Sequence, residues 1–230
     1  MTILAAHQPQ YLPWLGFFDK LDQADVFVLL DDVQFKKNEW QNRNRIKGPA
    51  GPQWLTVPVR HKFPQSIAEV EVREGEPWRR KHLRALETNY GKAPFFEAEM
   101  QLLAELLERP WTHLAPLNIE LTRRLVERLG IRTDIRMSSE LSARRHPTLR
   151  LVDLCLGLGA DMYLSGAGGD YLEREAFDAS GVGLRFQQFT HPSYGQLHGE
   201  FEPCLSVVDL LMNCGDESLS VIQSGRIAPS

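Results

Sequence analysis

The chain has 230 residues, of which 43% are hydrophobic and 24% are charged, and its formal net charge is −4. These values are typical of a soluble globular protein with a large core, and the negative charge argues against an extensive nucleic-acid-binding or membrane-binding surface. No apolar run approaches the roughly 20 residues that span a bilayer, and no basic segment followed by an apolar one marks a signal peptide. We therefore expect a cytoplasmic protein without membrane insertion.

The first 30 residues predict a strand, a helix and a second strand. Residues 2–6 form a short apolar run. Pro13 suits the first turn of a helix, and the apolar residues from Trp14 onward recur with helical spacing. Residues 26–30 are a continuous aliphatic run, which is typical of a strand buried on both faces. In such a βαβ unit the loop 7–14 lies at the carboxyl end of the first strand, where open α/β sheets bind ligands.

Strands and helices alternate along most of the remaining chain. Further strands are predicted at residues 53–59, 67–72, 131–137, 161–165 and 182–189, and helices at residues 78–90, 95–107, 111–129, 149–158 and 206–212. The alternation predicts an α/β fold, with a mainly parallel sheet flanked by helices and a helical insertion at about 78–130. We expect one domain over residues 1–215 and a flexible C-terminal tail at residues 216–230.

Polar side chains at the ends of the first two strands are candidates for chemistry. His7 could donate to a phosphate or act as a general acid or base, and the alternative is a structural histidine that closes the loop. Gln8, Tyr11 and Trp14 lie in the same loop and favour the functional interpretation. Asp32 ends the second strand and could bind a metal, orient a ribose hydroxyl or act as a base, or it could only close the strand.

Residues 40–47, WQNRNRIK, alternate amide and guanidinium side chains. A charged run is usually a solvated surface, but such a surface is richer in Lys and Glu, so we interpret this run as an anion-binding loop. Its candidate ligands are Gln41, Asn42, Arg43, Asn44 and Lys47.

A glycine-rich turn at residues 166–171 is a further candidate for phosphate binding. Successive glycines beginning at Gly166 would let main-chain N–H groups face a ligand, with Tyr171 beside them. The turn lacks the Gly-Lys-Ser/Thr ending of a P-loop and the spacing of a Rossmann fingerprint. A simple tight turn is therefore the alternative.

The loop after residue 189 contains His191, Tyr194 and Gln196. His191 and Asp209 are a candidate pair of base and orienting acid, and the sequence leaves open whether they touch. The chain has no Gly-x-Ser-x-Gly elbow, which argues against an α/β-hydrolase. Its three cysteines are widely spaced and, without close His or Cys pairs, predict neither disulfides nor a metal site.

Seven segments of the chain resemble the WbqC-like protein family: HQPQYLPWLGFFDKL, ADVFVLLDDVQF, WQNRNRIK, WLTVPV, YLSG, FQQFTHPSYGQ and LSVVDLLMNCG. The resemblance extends over about residues 3–215 and includes the order and spacing of the segments. Members of that family are associated with bacterial surface-polysaccharide (O-antigen) and other small-molecule biosynthesis. The resemblance therefore implies transfer or activation of a small acyl or aminoacyl group.

The start of the chain is also similar to HIGH-type nucleotidylyltransferases such as pantothenate synthetases, in which two histidines contact the nucleotide phosphates. Here His7 has no second histidine at the helix start, where Tyr11 and Trp14 lie, and no KMSKS-like run follows late in the chain. We therefore expect a distant similarity in fold and rank adenylyl transfer second.

Together, the resemblance and the polar residues predict a transferase for a phosphate-bearing or nucleotide-linked small molecule. The catalytic candidates are His7, Asp32 and His191. The binding candidates are Gln8, Tyr11, Trp14, Gln41, Asn42, Arg43, Asn44, Lys47, Gly166, Tyr171, Tyr194 and Gln196. Two alternatives stay open, an ATP-dependent adenylating enzyme and a non-catalytic module that captures a ligand or carrier. ATP or an acyl or aminoacyl carrier could be the cofactor, and a carrier protein or an aminoacyl-tRNA could be a partner.

Overall fold

Strands and helices alternate along the computed structural model, which describes residues 1–227. The strands are β1 (Ile3–His7), β2 (Val26–Leu29), β3 (Arg43–Gly48), β4 (Gly51–Thr56), β5 (Val59–Arg60), β6 (Glu71–Val72), β7 (Asp134–Met137), β8 (Met162–Ser165) and β9 (Gly183–Phe186). The helices are α1 (Leu15–Asp22), α2 (Trp78–Tyr90), α3 (Phe96–Leu107), α4 (Leu114–Leu129), α5 (Pro147–Gly157), α6 (Arg174–Ala179), α7 (Val207–Cys214) and α8 (Ser218–Ser224). Of the helices within residues 1–227, none is both long enough and apolar enough to cross a membrane.

Five of the strands form a parallel sheet in the order β7-β2-β1-β8-β9. The chain steps outward from β1 through β2 to β7, and then returns to the other side of β1 for β8 and β9. The strand order therefore reverses between β1 and β8, where the connections that follow the two strands leave in opposite directions and open a crevice. The predicted α/β fold with a mainly parallel sheet flanked by helices is confirmed.

Helices cover both faces of this sheet because its central strands are apolar on both sides. Leu4 and Ala6 of β1 belong to one core cluster with residues of α5 and α6. Ala5 between them belongs to a second cluster with residues of α1. His7 has the same parity as Ala5, and its ring meets the ring of Phe17 on α1 at a centroid distance of 5.2 Å.

Helix α1 is buried around most of its circumference, including its polar side. The ring of Trp14 lies so close to Gly16 that a side chain at that position would overlap the ring. Burial extends to Asp19, which is 0% exposed, and to Lys20, which is 4% exposed. The Asp19 carboxylate is compensated by Arg226, whose Nε lies 3.0 Å from Oδ1.

The connection between β2 and β7 holds the predicted helical insertion, formed by α2, α3 and α4, and also a β-hairpin of β3 and β4. The predicted anion-binding loop at residues 40–47 is therefore wrong in conformation from Arg43 onward, where the chain is strand β3. The prediction of a strand at residues 67–72 is also wrong for its first half. Ser66 and Glu69 form a capping box there and stabilise a 3₁₀ turn, Ile67–Glu69, before the two-residue strand β6.

The C-terminal region, where the sequence predicts a flexible tail, contains a short helix. Ser218–Ser224 form α8, in which Ile222 is fully buried. Arg226 then pairs with Asp19 and with Asp22, the latter at 2.7 Å. These contacts are long-range, which is why the local sequence gave no sign of them. Residues 228–230 lie outside the described part of the chain.

Candidate functional site

A crevice lies at the carboxyl ends of β1 and β8, at the point where the strand order reverses. Its inner cavity has a volume of about 270 Å³ and is lined by Ala6, His7, Gln8, Lys20, Leu30, Leu151, Tyr163, Ser165, Gly166, Gly168, Gly169 and Tyr171. An outer cavity of about 1140 Å³ shares Gln8, Leu30, Leu151 and Tyr171 with it. We refer to the two connected cavities as the switch-point crevice.

His7 ends β1 at the wall of the inner cavity. Its Nδ1 lies 3.0 Å from the carbonyl oxygen of Gln8, and since a carbonyl only accepts, Nδ1 carries the hydrogen. Nε2 is then an acceptor, and it makes no hydrogen bond within residues 1–227. Burial, followed by the charge of Lys20, lowers the pKa of His7 from 6.5 to about 3. The imidazole is therefore neutral at physiological pH.

Lys20 reaches the inner cavity from α1, and the sequence analysis did not identify it. Its Nζ donates to the carbonyl oxygen of Ala6 at 3.0 Å. Burial lowers the pKa of Lys20 from 10.5 to about 7. A cation with a depressed pKa in a cleft is a typical feature of functional sites. Lys20 lies off the apolar stripe of the predicted helix, and the sequence pattern therefore indicates an exposed position. Only the tertiary fold shows that it is buried.

The glycine-rich turn closes the inner cavity from the β8 side. Ser165 is 4% exposed, and its hydroxyl donates to the carbonyl of Gly166 at 3.1 Å. A side chain at Gly169 would overlap the Ser165 hydroxyl, so the turn can wrap this tightly only with glycine there. The predicted turn at residues 166–171 is thus brought to the same cavity as His7, although α6 begins only at Arg174.

The outer cavity is lined by several charged side chains at the N-terminus of α5. Arg150 donates from Nη1 to Asp32 Oδ1 at 2.6 Å, and the Ser138 hydroxyl donates to the same oxygen. Burial opposes ionisation of Asp32, but the hydrogen bonds from Ser138 and Arg150 and the charge of Arg150 hold its pKa below its usual value. Arg145 and His146 also line this cavity. Asp32 is therefore in the crevice as an ionised partner of arginine.

Gln8 lines both cavities, and its side chain is held in place by Gln41, which lies outside them. The Gln41 amide donates from Nε2 to Gln8 Oε1 at 2.7 Å, while Gln41 Oε1 accepts from the main-chain N–H of Lys36 at 2.8 Å. Gln41 itself is 2% exposed and does not line either cavity. Its contact with the crevice is indirect, through the orientation of Gln8.

Tyr11 and Trp14 do not line the switch-point crevice. Tyr11 is fully buried, and its hydroxyl lies 2.8 Å from Nδ1 of His82. Trp14 packs in an aromatic cluster with Phe189 and His191, at centroid distances of 5.8 and 6.4 Å. Trp14 therefore belongs to the packing around α1, and Tyr11 to the packing against α2.

The amides and cations of residues 42–47 are also outside the crevice, and most of them bind main-chain groups. Asn42 donates to the carbonyl of Val57 at 3.1 Å, and Asn44 donates to the carbonyl of Leu12 at 2.6 Å. Lys47 is 3% exposed, with Nζ 3.1 Å from Gln196 Oε1. The Arg43 guanidinium instead stacks on the exposed ring of Trp54 at 4.1 Å. These contacts fix the hairpin to the body of the protein.

Tyr194 and Gln196 are half-buried and form a separate cluster around the buried carboxylate of Asp209, with the ring of His191 stacked on that of Tyr194 at a centroid distance of 6.5 Å. The carboxylate of Asp209 accepts from the Tyr194 hydroxyl and from Gln196 Nε2, both at 2.9 Å, and from the Tyr90 hydroxyl at 2.7 Å. His191 is not among these donors, because its Nδ1 is directed at the carbonyl of Pro192 at 2.9 Å. Burial lowers the pKa of His191, against the opposing effects of that carbonyl and of Asp209.

The structure thus brings together five of the predicted site residues: His7, Gln8, Asp32, Gly166 and Tyr171. It adds Lys20, Ser165 and Arg150, which the sequence analysis missed. Ser165 and Arg150 could have been found from their places at the carboxyl end of a predicted strand and in the first turn of a predicted helix. Within residues 1–227, no group of three or more His, Cys, Asp or Glu side chains is placed to hold a metal ion.

Comparisons with known proteins identify the relatives of this chain. A family model, the WbqC-like protein family, matches residues 8–221. The uncharacterized protein Rv1507c of Mycobacterium tuberculosis is 38% identical over 223 residues, which cover 95% of this chain and 96% of the relative. No solved structure matches the chain, so the similarity to HIGH-type nucleotidylyltransferases is not confirmed.

Proposed function

The chain belongs to the WbqC-like protein family, and we propose that it is a transferase that binds a phosphate-bearing or nucleotide-linked small molecule in the switch-point crevice. The transferred group would be a small acyl, aminoacyl or related group. The setting that the family resemblance implies is bacterial surface-polysaccharide or secondary-metabolite biosynthesis.

One observation carries this proposal: the inner cavity combines a buried ammonium, a neutral histidine and a glycine-rich turn at the reversal of strand order. Open α/β sheets bind their ligands at this position. Glycine-rich turns present main-chain N–H groups to phosphate oxygens, and a lysine adds a positive charge. The arrangement of Lys20, His7 and residues 166–169 therefore suits a phosphate better than an apolar ligand.

The outer cavity would hold the remainder of the substrate. Its volume of about 1140 Å³ exceeds that of the inner cavity about fourfold and is large enough for a nucleotide or sugar moiety. Arg145 and His146 line it and supply further hydrogen-bond donors. Arg150 is already paired with Asp32, so its role is to keep the carboxylate ionised and oriented.

His7 is the candidate base for the transfer step. In the empty site it is too weakly basic for efficient proton transfer, because general bases work best with a pKa near the operating pH. A bound anion beside the ring would raise this pKa, since a negative charge favours the protonated form. His7 Nε2 would then accept the proton of the attacking hydroxyl or amine and return it to the leaving group.

A thermal-shift comparison tests the proposal with ATP, coenzyme A, acyl-coenzyme A, sugar nucleotides and pyrophosphate as ligands. The variant Gly166→Val places its side chain in the inner cavity, since a Cβ at this position would lie 3.6 Å from Lys20 Nζ. Gly157→Val is the matched control, because a Cβ there meets nothing within 4 Å. A ligand at about 100 times its dissociation constant should stabilise the wild type and the control by about 2.7 kcal/mol, and Gly166→Val much less.

The outcomes also separate the alternatives. No shift with any phosphate-bearing ligand, or an equal shift in Gly166→Val, would contradict the proposed site. Release of pyrophosphate from ATP would identify an adenylating enzyme instead. Tight binding without turnover of any donor and acceptor pair would favour a non-catalytic module.

A further inference from the structure

Lys20 is a buried amine that has no compensating charge in its protonated form. It is 4% exposed, and its single hydrogen bond within residues 1–227 is to the neutral carbonyl of Ala6. No carboxylate of the described chain forms an ion pair with Nζ. The adjacent Asp19 faces away, toward Arg226 and Gln187, whose amide donates to Asp19 Oδ2 at 2.6 Å. Burying a charged group in this way is unfavourable unless something else pairs with it.

The space in front of Lys20 is kept open. Nζ lies 3.6 Å from the point where a Cβ of residue 166 would be, which is ordinary van der Waals contact, so the glycine leaves the space beyond that point to the cavity. Behind it, the ring of Phe27 lies 5.9 Å from Nζ and gives only a weak cation–π contact. The ammonium therefore has an apolar wall on one side and an unfilled cavity on the other.

The other titratable groups that line the inner cavity do not neutralise Lys20. His7 on β1 is neutral at physiological pH, and burial raises the pKa values of Tyr163 on β8 and of Tyr171 in the turn. All three are therefore uncharged near pH 7. A negative charge for Lys20 has to come from a ligand.

We propose that Lys20 recognises the anionic group of the substrate, by pairing its ammonium with a phosphate-type anion held between Nζ and the 166–169 turn. This inference rests on the proposed function and names the residue that selects the charge of the ligand. In the empty crevice, burial brings the pKa of Lys20 to about 7, so the amine is largely neutral above that pH. Anion binding restores the charged form, and the complex therefore takes up one proton from the solvent.

Inorganic sulfate is a suitable probe, because its charge is constant over the relevant pH range. We expect its dissociation constant for the wild type to rise about tenfold per pH unit above about pH 7.5, as an increasing share of Lys20 must first be protonated. Lys20→Met should lose binding by at least about tenfold and show no such pH dependence. Lys92→Met, at an exposed position on the chain, is the matched control and should behave as the wild type.

The stability of the Lys20→Met variant distinguishes a binding role from a structural one. Removing an uncompensated buried charge and keeping the length of the side chain should leave the melting temperature unchanged or raise it. If the variant instead melts early, Lys20 holds the fold and the proposal is overturned. Retained, pH-independent sulfate binding by a stably folded Lys20→Met protein would overturn it as well.

Trace labelling of the wild type with acetic anhydride provides a readout that needs no variant. The neutral amine is the reactive form, so Lys20 should be acetylated near neutral pH in the free protein and protected by sulfate, with the exposed Lys92 as the internal reference. Equal labelling of Lys20 with and without bound sulfate would contradict the inference. The proposed function would still stand in that case if sulfate binding were lost in Gly166→Val, whereas no sulfate or nucleotide binding by the wild type would refute both.

Discussion

Two polar clusters of this molecule, one around Asp209 and one around Lys20, each contain a buried ionisable group but differ in how their polar groups are satisfied. Around Asp209, the carboxylate accepts three hydrogen bonds, from Tyr90, Tyr194 and Gln196, at 2.7 to 2.9 Å. In the inner cavity of the crevice, Lys20 donates to a single main-chain carbonyl, and His7 Nε2 has no hydrogen-bond partner within residues 1–227. The Asp209 carboxylate is satisfied within the protein, although the neighbouring His191 Nε2 is buried without a partner among residues 1–227. Lys20 and His7 differ in that they line a cavity and have capacity left for a ligand.

This difference can be used to distinguish structural polar residues from functional ones. A fully satisfied buried network stabilises one arrangement of the chain, and losing any member leaves the others unpaired. Polar groups that lack hydrogen-bond partners reduce the stability of the ligand-free protein. They are retained where a ligand supplies the missing partners. On this basis, and because a cavity adjoins Lys20 and His7, we propose the crevice as the site, whereas the hydrogen bonds of Asp209 hold the region after β9 to α2 and α7.

The largest effect should come from breaking the satisfied cluster. We expect Asp209→Ala to lower the free energy of unfolding by about 3–5 kcal/mol, since it leaves two tyrosine hydroxyls without an acceptor and the Gln196 amide with only the carbonyl of Glu202. Urea denaturation monitored by fluorescence would measure the loss. Asp209→Asn keeps one accepting oxygen and should lose clearly less. A loss below about 1 kcal/mol in Asp209→Ala would show that the network contributes little.

An intermediate effect, with the opposite sign, should follow from removing a titrating group of the crevice. Because burial and the charge of Lys20 lower the pKa of His7 from 6.5 to about 3, the unfolded chain binds a proton in this window that the folded chain does not. The stability contributed by neutral His7 is therefore lost as the pH falls from 6.5 toward 3.

His7→Gln removes this titration and should be more stable than the wild type at acid pH. We expect the gain to reach about 3 kcal/mol near pH 4 and to vanish near pH 7, in urea denaturation at a series of pH values. Parallel acid profiles of the two proteins would indicate that His7 is protonated as easily in the folded state as in the unfolded one.

The smallest effect is expected outside both clusters, at Arg43. Its guanidinium stacks on the exposed ring of Trp54, so Arg43→Ala should lower the stability by about 0.5–1 kcal/mol only. Ligand binding in the crevice should be unchanged in the same thermal-shift assay. The sequence favoured Arg43 as an anion ligand, and loss of ligand binding in this variant would support that interpretation against the crevice.

The sequence predicts the sheet and the edge at which its loops meet because both depend on local patterns. Periods of 2 and 3.6, prolines and glycines place β1, α1 and β2, and the predicted helix at residues 78–90 coincides with α2. The carboxyl edge of a parallel sheet then brings His7 and Gly166 together without any knowledge of side-chain contacts.

The sequence could not show which groups each polar side chain would hydrogen-bond. Asn44 and Lys47 look like ligand-binding groups in the chain, but their partners are the carbonyl of Leu12 and groups of the 196–200 segment. Conversely, the sequence pattern indicates an exposed position for Lys20, whereas the packing around α1 buries it. A polar pattern shows which hydrogen bonds a segment can make, and the tertiary fold decides which are already made.

The crevice is assembled from parts that are far apart along the chain. β1 pairs with β8 in a register that places Ile3 beside Met162, and residues 30–133 separate β2 from its other neighbour, β7. Contacts between residues this far apart in the sequence form late in folding, because the entropy cost of closing the long intervening loops comes before the gain from the contacts. The crevice therefore forms only once the sheet is complete. A ligand that bridges α1 and the 166–169 turn would clamp the two halves of the sheet together and slow the unfolding of the whole protein.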